Sequence, residues 1–350
     1  MRQMLAAVYY GPGDLRVEQH PMPEIGPGEA LLRVKSAGIC ATDLRILHGD
    51  HRMYPPGTRR IPGHEVVGDI AEVAPGVEAV EVGQRVFVAP NIGCGHCSQC
   101  VSGNNNRCAN YVAFGITIDG AFAEYMRIPA AGIVQGNLIP LRADTDTAAS
   151  ALIEPLACVL RGQDAVGVGA GDLVLVVGAG PIGILHIRLA RLRGAARIIV
   201  SDLLLQRLDQ ARAAGADRVV NPAQEDLAAV IAEESHGEGA DVVIVAAPAH
   251  KAQEQAVHLA AKGGRINFFG GLPKSRPTIE LDSNQVHYKE LLVTGTSACS
   301  THDCWRAARL VDAGRIDLAS LVTARLPLGR AVEGFKLAEE GSSLKVVLEP

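Results

Sequence analysis

The chain has 350 residues, enough for two domains and a sizeable core. Hydrophobic residues make up 48% and charged residues 20%, an ordinary globular balance, and the net charge of −5 with no basic run argues against nucleic acid as the main partner. The apolar stretch at the N-terminus is too short for a signal peptide, and the run from Leu173 to Ile187 is broken by glycines and Pro181, so the expectation is a cytoplasmic protein with no membrane span.

Residues 1–150 read mostly as β. Leu5–Tyr10, Leu15–Gln19, Ala30–Lys35, Val66–Val73, Arg85–Ala89 and Phe122–Ile128 are short strand candidates, separated by turns such as Gly11-Pro12-Gly13 and Gly26-Pro27-Gly28. No long helical period occurs there, which predicts an antiparallel barrel or sandwich. From about residue 150 strands alternate with helices. Residues 173–177, 197–201, 218–220, 241–246, 265–269 and 291–294 are strand-like, and 181–193, 204–214, 224–235 and 249–262 are helix-like. That βαβ rhythm predicts a doubly wound parallel sheet. A helix at Cys304–Ala313 and short mixed segments follow, and Asn221-Pro222 marks a turn.

Residues 172–202 carry the first chemical signal. Leu173–Val177 is a strand apolar on both faces, followed by Gly178-Ala179-Gly180-Pro181-Ile182-Gly183. Ile182, Leu185, Leu189 and Leu192 then recur at helical spacing, and a second strand ends at Asp202. Glycines in this pattern allow a tight turn and let a pyrophosphate approach the helix N-terminus. An acid roughly 20 residues on accepts hydrogen bonds from the adenosine ribose. Asp202 would repel a 2′-phosphate and is followed by Leu203, not arginine, so NAD is expected over NADP. Arg207 either lies over the adenine or is a solvated helix residue.

The second signal is Cys94, Cys97, Cys100 and Cys108 on a loop rich in glycine and asparagine. Four thiolates this dense can close a tetrahedral structural zinc site. The third signal is scattered. Cys40, His64 and Glu154 are suitable zinc ligands and, being three, would leave a position open for substrate. Spacing alone leaves the alternative open: a hydrogen-bonded histidine and a buried cysteine. Cys158, Cys299 and Cys304 read as packing residues.

Cys40-x-Thr42-Asp43, Gly63-His64-Glu65-x-x-Gly68, the four-cysteine lobe, Glu154-Pro155-Leu156 and Gly178-x-Gly180-x-x-Gly183 occur in that order along nearly the whole chain. Together they resemble the zinc-dependent medium-chain dehydrogenase/reductase family. The resemblance implies a GroES-like β-barrel catalytic domain (1–152 and 296–350, with a structural-zinc lobe at 91–110) and a Rossmann NAD-binding domain (153–295). It implies one catalytic and one structural Zn²⁺, with Cys40 and His64 as catalytic ligands. Glu65 would stand behind the ligands or exchange onto the metal. Glu154, where simple alcohol dehydrogenases carry cysteine, is similar to the sorbitol/iditol and threonine dehydrogenase branch. So, more loosely, are His287–Leu291 and Thr294-Gly295-Thr296.

Thr42 is expected to take the alcohol proton. Relatives often carry histidine three residues on, but Arg45 stands here and stays charged. The relay would then end at water, His48 or His51, and Arg45 would hold cofactor phosphates, hold an anionic substrate group, or be a solvated arginine. The expected activity is NAD-dependent oxidation of a polyol or other secondary alcohol by a homodimer or homotetramer. The alternatives are L-threonine 3-dehydrogenase and a zinc-lobe dinucleotide-binding protein without dehydrogenase activity.

Overall fold

The computed structural model describes residues 2–341 and 343–350. The chain forms two compact units. One takes the residues up to Ala157 and from Cys299 on; the other is Cys158–Ala298.

The second unit is a six-stranded parallel sheet. Its spatial order is Arg218–Val220, Arg197–Ser201, Leu173–Val177, Ala240–Val245, Ala260–Phe268, Leu292–Gly295. Counted along the chain this is 3-2-1-4-5-6, the doubly wound order, as the βαβ rhythm predicts. Leu173, Leu175, Ile199, Val243, Val245 and Ile266 build a core between the sheet and its helices. The order reverses between Leu173–Val177 and Ala240–Val245, which pair directly. Ligands of such sheets bind beyond the strand ends at that reversal. The helices Ile153–Ala165 and Ser283–Tyr288 escaped the periodicity; the second is opened by the Asp282 carboxylate, which caps Asn284 and Gln285.

The first unit is β-rich. A seven-stranded sheet runs in the order Val322–Pro327, Lys345–Glu349, Ala30–Gly38, Glu65–Val73, Arg85–Val88, Leu138–Pro140, and Tyr125–Ile128 also pairs with Ala30–Gly38. Leu32, Ile70, Val86, Phe114, Phe122 and Ile128 fill its core. The expected strand at 122–128 starts only at Tyr125. Upstream, Phe122 donates its N–H to Pro62 and accepts from Ala7, so its backbone ties two neighbours instead of extending the strand. Every helix before residue 150 among those described is short, the longest being the seven-residue Ala41–Leu47.

Register positions the chemistry. Gly38 pairs with Glu65 across the antiparallel strands Ala30–Gly38 and Glu65–Val73. Cys40 lies two residues past one end of that pair and His64 one residue before the other, so strand pairing brings them side by side. The C-terminal strand Lys345–Glu349 pairs with the opposite edge of Ala30–Gly38 through Val347↔Gly38, and this brings Lys345 to the same place.

Candidate active site and metal centres

Cys40, His64 and Glu65 each offer a donor atom, all within 4.8 Å of one another. Cys40 is the N-cap of the helix Ala41–Leu47, and its N–H donates to Asp43 Oδ2 at 2.9 Å. Asp43 is fully buried, and its Oδ1 faces His64 Nδ1 at 3.6 Å. Burial pushes the His64 imidazolium down, but the Asp43 carboxylate and Cys40 outweigh it and hold the pKa well above its ordinary value. An acid next to a ligating imidazole orients the ring.

Glu65 is fully buried, and its Oε1 receives Lys345 Nζ at 2.5 Å. Lys345 is itself buried; burial pushes its pKa down, but Glu65 and Cys40 together raise it, so it stays an ammonium. Asp43 Oδ1, His64 Nδ1 and Glu65 Oε2 are buried without a hydrogen-bond partner. Such atoms are costly unless something else satisfies them. One thiol, one imidazole and adjacent carboxylates are a zinc donor set, so these residues fit the metal. Gly38 makes the approach possible, since a Cβ there would lie 2.1 Å from Glu65 Oε2.

Glu154 is buried in the first turn of the helix Ile153–Ala165, where the helix dipole favours a carboxylate. It is not one of the trio. Its Oε1 accepts from Cys299 Sγ at 3.7 Å, and Cys299 touches Cys304 at 3.5 Å. Glu154 and Cys40 both act electrostatically on Lys345, so the carboxylate and the trio share one neighbourhood. Cys299 and Cys304 are therefore more than packing, a correction to the sequence reading. They occupy N′ and N4 around the N-cap Ser300, the positions that staple a helix start, and the spacing could have revealed their contact. Lys345 was also missed. The available signal was a lysine at the start of the strand Lys345–Glu349, directly ahead of the apolar Val346, Val347 and Leu348.

The four cysteines of the lobe come together in the structure. Cys94, Cys97, Cys100 and Cys108 lie within 4.8 Å of one another, with Cys94 and Cys100 sulfurs 4.0 Å apart. Tetrahedral Zn–S bonds of about 2.3 Å require sulfur separations of about 3.8 Å, so this set also fits zinc. The N–H groups of His96 and Cys97 pull the Cys94 thiol down to about 6, whereas burial pushes Cys100 up to about 12. Asn105, inside the lobe, bonds Asn91 O at 2.6 Å and both N–H and Oγ1 of Thr301.

In the helix Ala41–Leu47, Thr42 is half-buried and Arg45 exposed. His48, just beyond it, is exposed and paired with Glu339 at 2.8 Å. His51 is half-buried against Tyr54, and burial, then His64, Arg52 and Arg45, lower its pKa.

In the second unit Gly178 follows Leu173–Val177 with φ +103° and Gly180 caps the helix Pro181–Leu192 without a side-chain cap. A Cβ on Gly180 would meet nothing within 4 Å; one on Gly183 would lie 2.0 Å from Gly178 O. Pro181 takes N1, where its missing N–H costs nothing, and Ile182 follows it, half-buried. Open space over uncapped N–H groups fits a phosphate. Asp202 Oδ2 accepts from Ala179 N–H at 2.7 Å and Oδ1 from Leu204 N–H at 2.9 Å, which leaves lone pairs for ribose hydroxyls. Arg207 is half-buried on the helix Leu205–Ala213.

Residues 26–140 match the Alcohol dehydrogenase GroES-like domain, and residues 181–313 match the Zinc-binding dehydrogenase family. The chain is 35% identical to an L-threonine 3-dehydrogenase from Caldanaerobacter subterraneus subsp. tengcongensis, over 94% of this chain and 93% of that protein. Among solved structures it is similar to a zinc-binding dehydrogenase from Sinorhizobium meliloti 1021 bound to NADP, with TM-score 0.92, 33% identity and 100% of both chains covered. It is also similar to 2R,3R-butanediol dehydrogenase from Bacillus subtilis, with TM-score 0.89, 28% identity and 99% of both chains covered. By sequence, by fold and by the donor sets it assembles, the chain belongs to the zinc-dependent medium-chain dehydrogenase/reductase family.

Proposed function

We propose that the chain is an NAD-dependent, zinc-containing dehydrogenase of polyols or other small secondary alcohols. The observation that carries this reading is the meeting of half-buried Cys40 with buried His64 and Glu65, with the Glu154 carboxylate in the same electrostatic neighbourhood. Cys40, His64 and Glu154 would hold the catalytic zinc, with Glu65 held back by Lys345. Zinc bound there supplies a Lewis acid that lowers the pKa of an alcohol. Thr42 takes the alcohol proton. His51 is the half-buried base to which that proton leaves, since His48 is exposed and tied to Glu339. The uncapped start of Pro181–Leu192 receives the pyrophosphate, and Asp202 receives the adenosine ribose. A 2′-phosphate on that ribose would face the Asp202 carboxylate and the leucines Leu203–Leu205, which supports NAD over NADP. The Glu154 carboxylate supports a hydroxyl-rich substrate, whose hydroxyls it can accept. The protein is proposed to work in the cytoplasm as a homodimer or homotetramer.

A second reading is L-threonine oxidation. It is favoured by the relatives named L-threonine 3-dehydrogenase at 32–36% identity. The test is a panel of polyols, diols, amino alcohols, L-threonine and simple alcohols, run with NAD and with NADP and read as nicotinamide reduction. Turnover on polyols with NAD supports the first reading. Turnover on threonine alone selects the second. No reduction with any member overturns both. Asp202→Ala is expected to raise the NADP:NAD ratio of kcat/KM by about 10- to 100-fold, equivalent to about 1.4–2.8 kcal/mol.

A further inference from the structure

We propose that Cys299 and Cys304 are a disulfide-forming site, oxidised by hydroperoxides, and that the bond controls Glu154. The two sulfurs lie 3.5 Å apart, and both residues are buried, at 1% and 0% exposure. Cys299 also donates its S–H to Glu154 Oε1 at 3.7 Å. The pair spans the start of the helix Thr301–Asp312, which is fixed by a reciprocal cap: Ser300 Oγ accepts from Asp303 N–H, and Asp303 Oδ2 accepts from Ser300 N–H at 2.9 Å.

The backbone on the Cys299 side is clamped as well. Asn91 Nδ2 donates to Cys299 O at 2.9 Å, and Asn105 Oδ1 accepts from Thr301 N–H at 2.9 Å. A disulfide has an S–S length of about 2.05 Å, so closure draws the sulfurs together by about 1.5 Å. With the backbone held at both ends, side-chain rotation supplies that movement. It takes the Cys299 sulfur toward Cys304 and removes the S–H that Glu154 accepts.

The chemistry balances with a hydroperoxide as oxidant. For hydrogen peroxide, one sulfur attacks the O–O bond and becomes a sulfenic acid, while the other oxygen leaves as water with the thiol proton. The second sulfur displaces the sulfenic oxygen as a second water. Two S–H bonds and one O–O bond are lost, one S–S bond forms, and the peroxide is reduced.

The effect on Glu154 rests on the proposed reading of that residue as a zinc ligand; the disulfide itself does not. Losing the partner that orients a ligand costs about 10- to 100-fold in metal affinity or activity. The test treats the zinc-loaded protein with hydrogen peroxide, alkylates it in denaturant and digests it with trypsin unreduced. Both cysteines fall on the single tryptic peptide 290–306, apart from the zinc-lobe cysteines. The expected result is that peptide free of alkyl groups and lighter by two hydrogens, returned to the doubly alkylated form by dithiothreitol. A peptide still doubly alkylated, or carrying sulfinic acid, overturns the site.

Zinc affinity is read in parallel by chelator competition. The oxidised wild type is expected to lose about 10-fold or more at one zinc, and Cys304→Ala is expected to be unaffected by peroxide at that zinc. A disulfide that leaves zinc affinity unchanged, or an equal loss in Cys304→Ala, overturns the link to Glu154. Absence of any alcohol oxidation would overturn the functional reading and leave the peptide result standing.

Discussion

Lys345→Met isolates the buried pair that Lys345 forms with Glu65 of the candidate metal cluster. Lys345 Nζ and Glu65 Oε1 are 2.5 Å apart, with side-chain exposures of 6% and 0%. At an effective dielectric of about 20, their attraction is about 7 kcal/mol. Most of that is offset by taking both ions out of water, so the pair itself contributes little net stability. Removing only the ammonium is different, because the Glu65 carboxylate is then left buried and unpaired. That costs about 3–5 kcal/mol. The assay is urea unfolding of the zinc-loaded protein, wild type against Lys345→Met, with Lys345→Met/Glu65→Gln as the control. The double variant should recover most of the loss, since it removes the stranded charge. The pKa of Lys345 is raised in the folded state. Its contribution is therefore complete below the ordinary lysine value of about 10.4 and is lost as pH rises through the higher folded value. The gap between wild type and Lys345→Met should stay constant up to about pH 10.4 and narrow above it. A loss below about 1 kcal/mol, or a double variant no better than the single, would refute the pairing as the anchor of Glu65.

Three further outcomes are expected. Gly183→Ala places a methyl 2.0 Å from Gly178 O, forcing the helix Pro181–Leu192 off its strand; NAD binding measured by calorimetry should vanish while the zinc content stays the same. Cys97→Ser should lower bound zinc, counted by atomic absorption, from about two ions per chain to about one. His186 is fully buried, accepts from Gln163 Nε2 at 3.4 Å and lies edge-on to Phe269, and burial lowers its pKa to about 3. Because the folded value is depressed, stability is lost as pH falls from about 6.5, where the unfolded chain takes up the proton, to about 3. His186→Leu should flatten that part of the acid unfolding curve, and an unchanged slope would show that His186 does not titrate there.

Much of the chemistry was legible because it is local. The four cysteines lie within fifteen positions, so their loop has little choice but to gather them. Gly178–Gly183 sits between a strand and a helix that declare themselves by periodicity, and the turn between them is determined by its glycines. The doubly wound sheet followed for the same reason, since each βαβ step is a neighbouring-segment event with one favoured hand. Family resemblance extended this to Cys40, His64 and Glu154, which spacing alone left open.

What the sequence by itself determined is thus a glycine-rich strand-to-helix turn, a four-cysteine lobe and the class of fold that carries them. The tertiary structure decided which distant groups meet. Glu65 and Lys345 are 280 positions apart, and Glu154 and Cys299 are 145 apart. Their contacts depend on the register Gly38↔Glu65 and Val347↔Gly38, and on a helix start that folds Cys299 against Cys304. Strand register is set by the packing of whole sheets, and a one-residue slip would turn Glu65 or Lys345 to the other face. The same packing excludes water around Glu65, and that exclusion makes a lone lysine near the C-terminus a required partner.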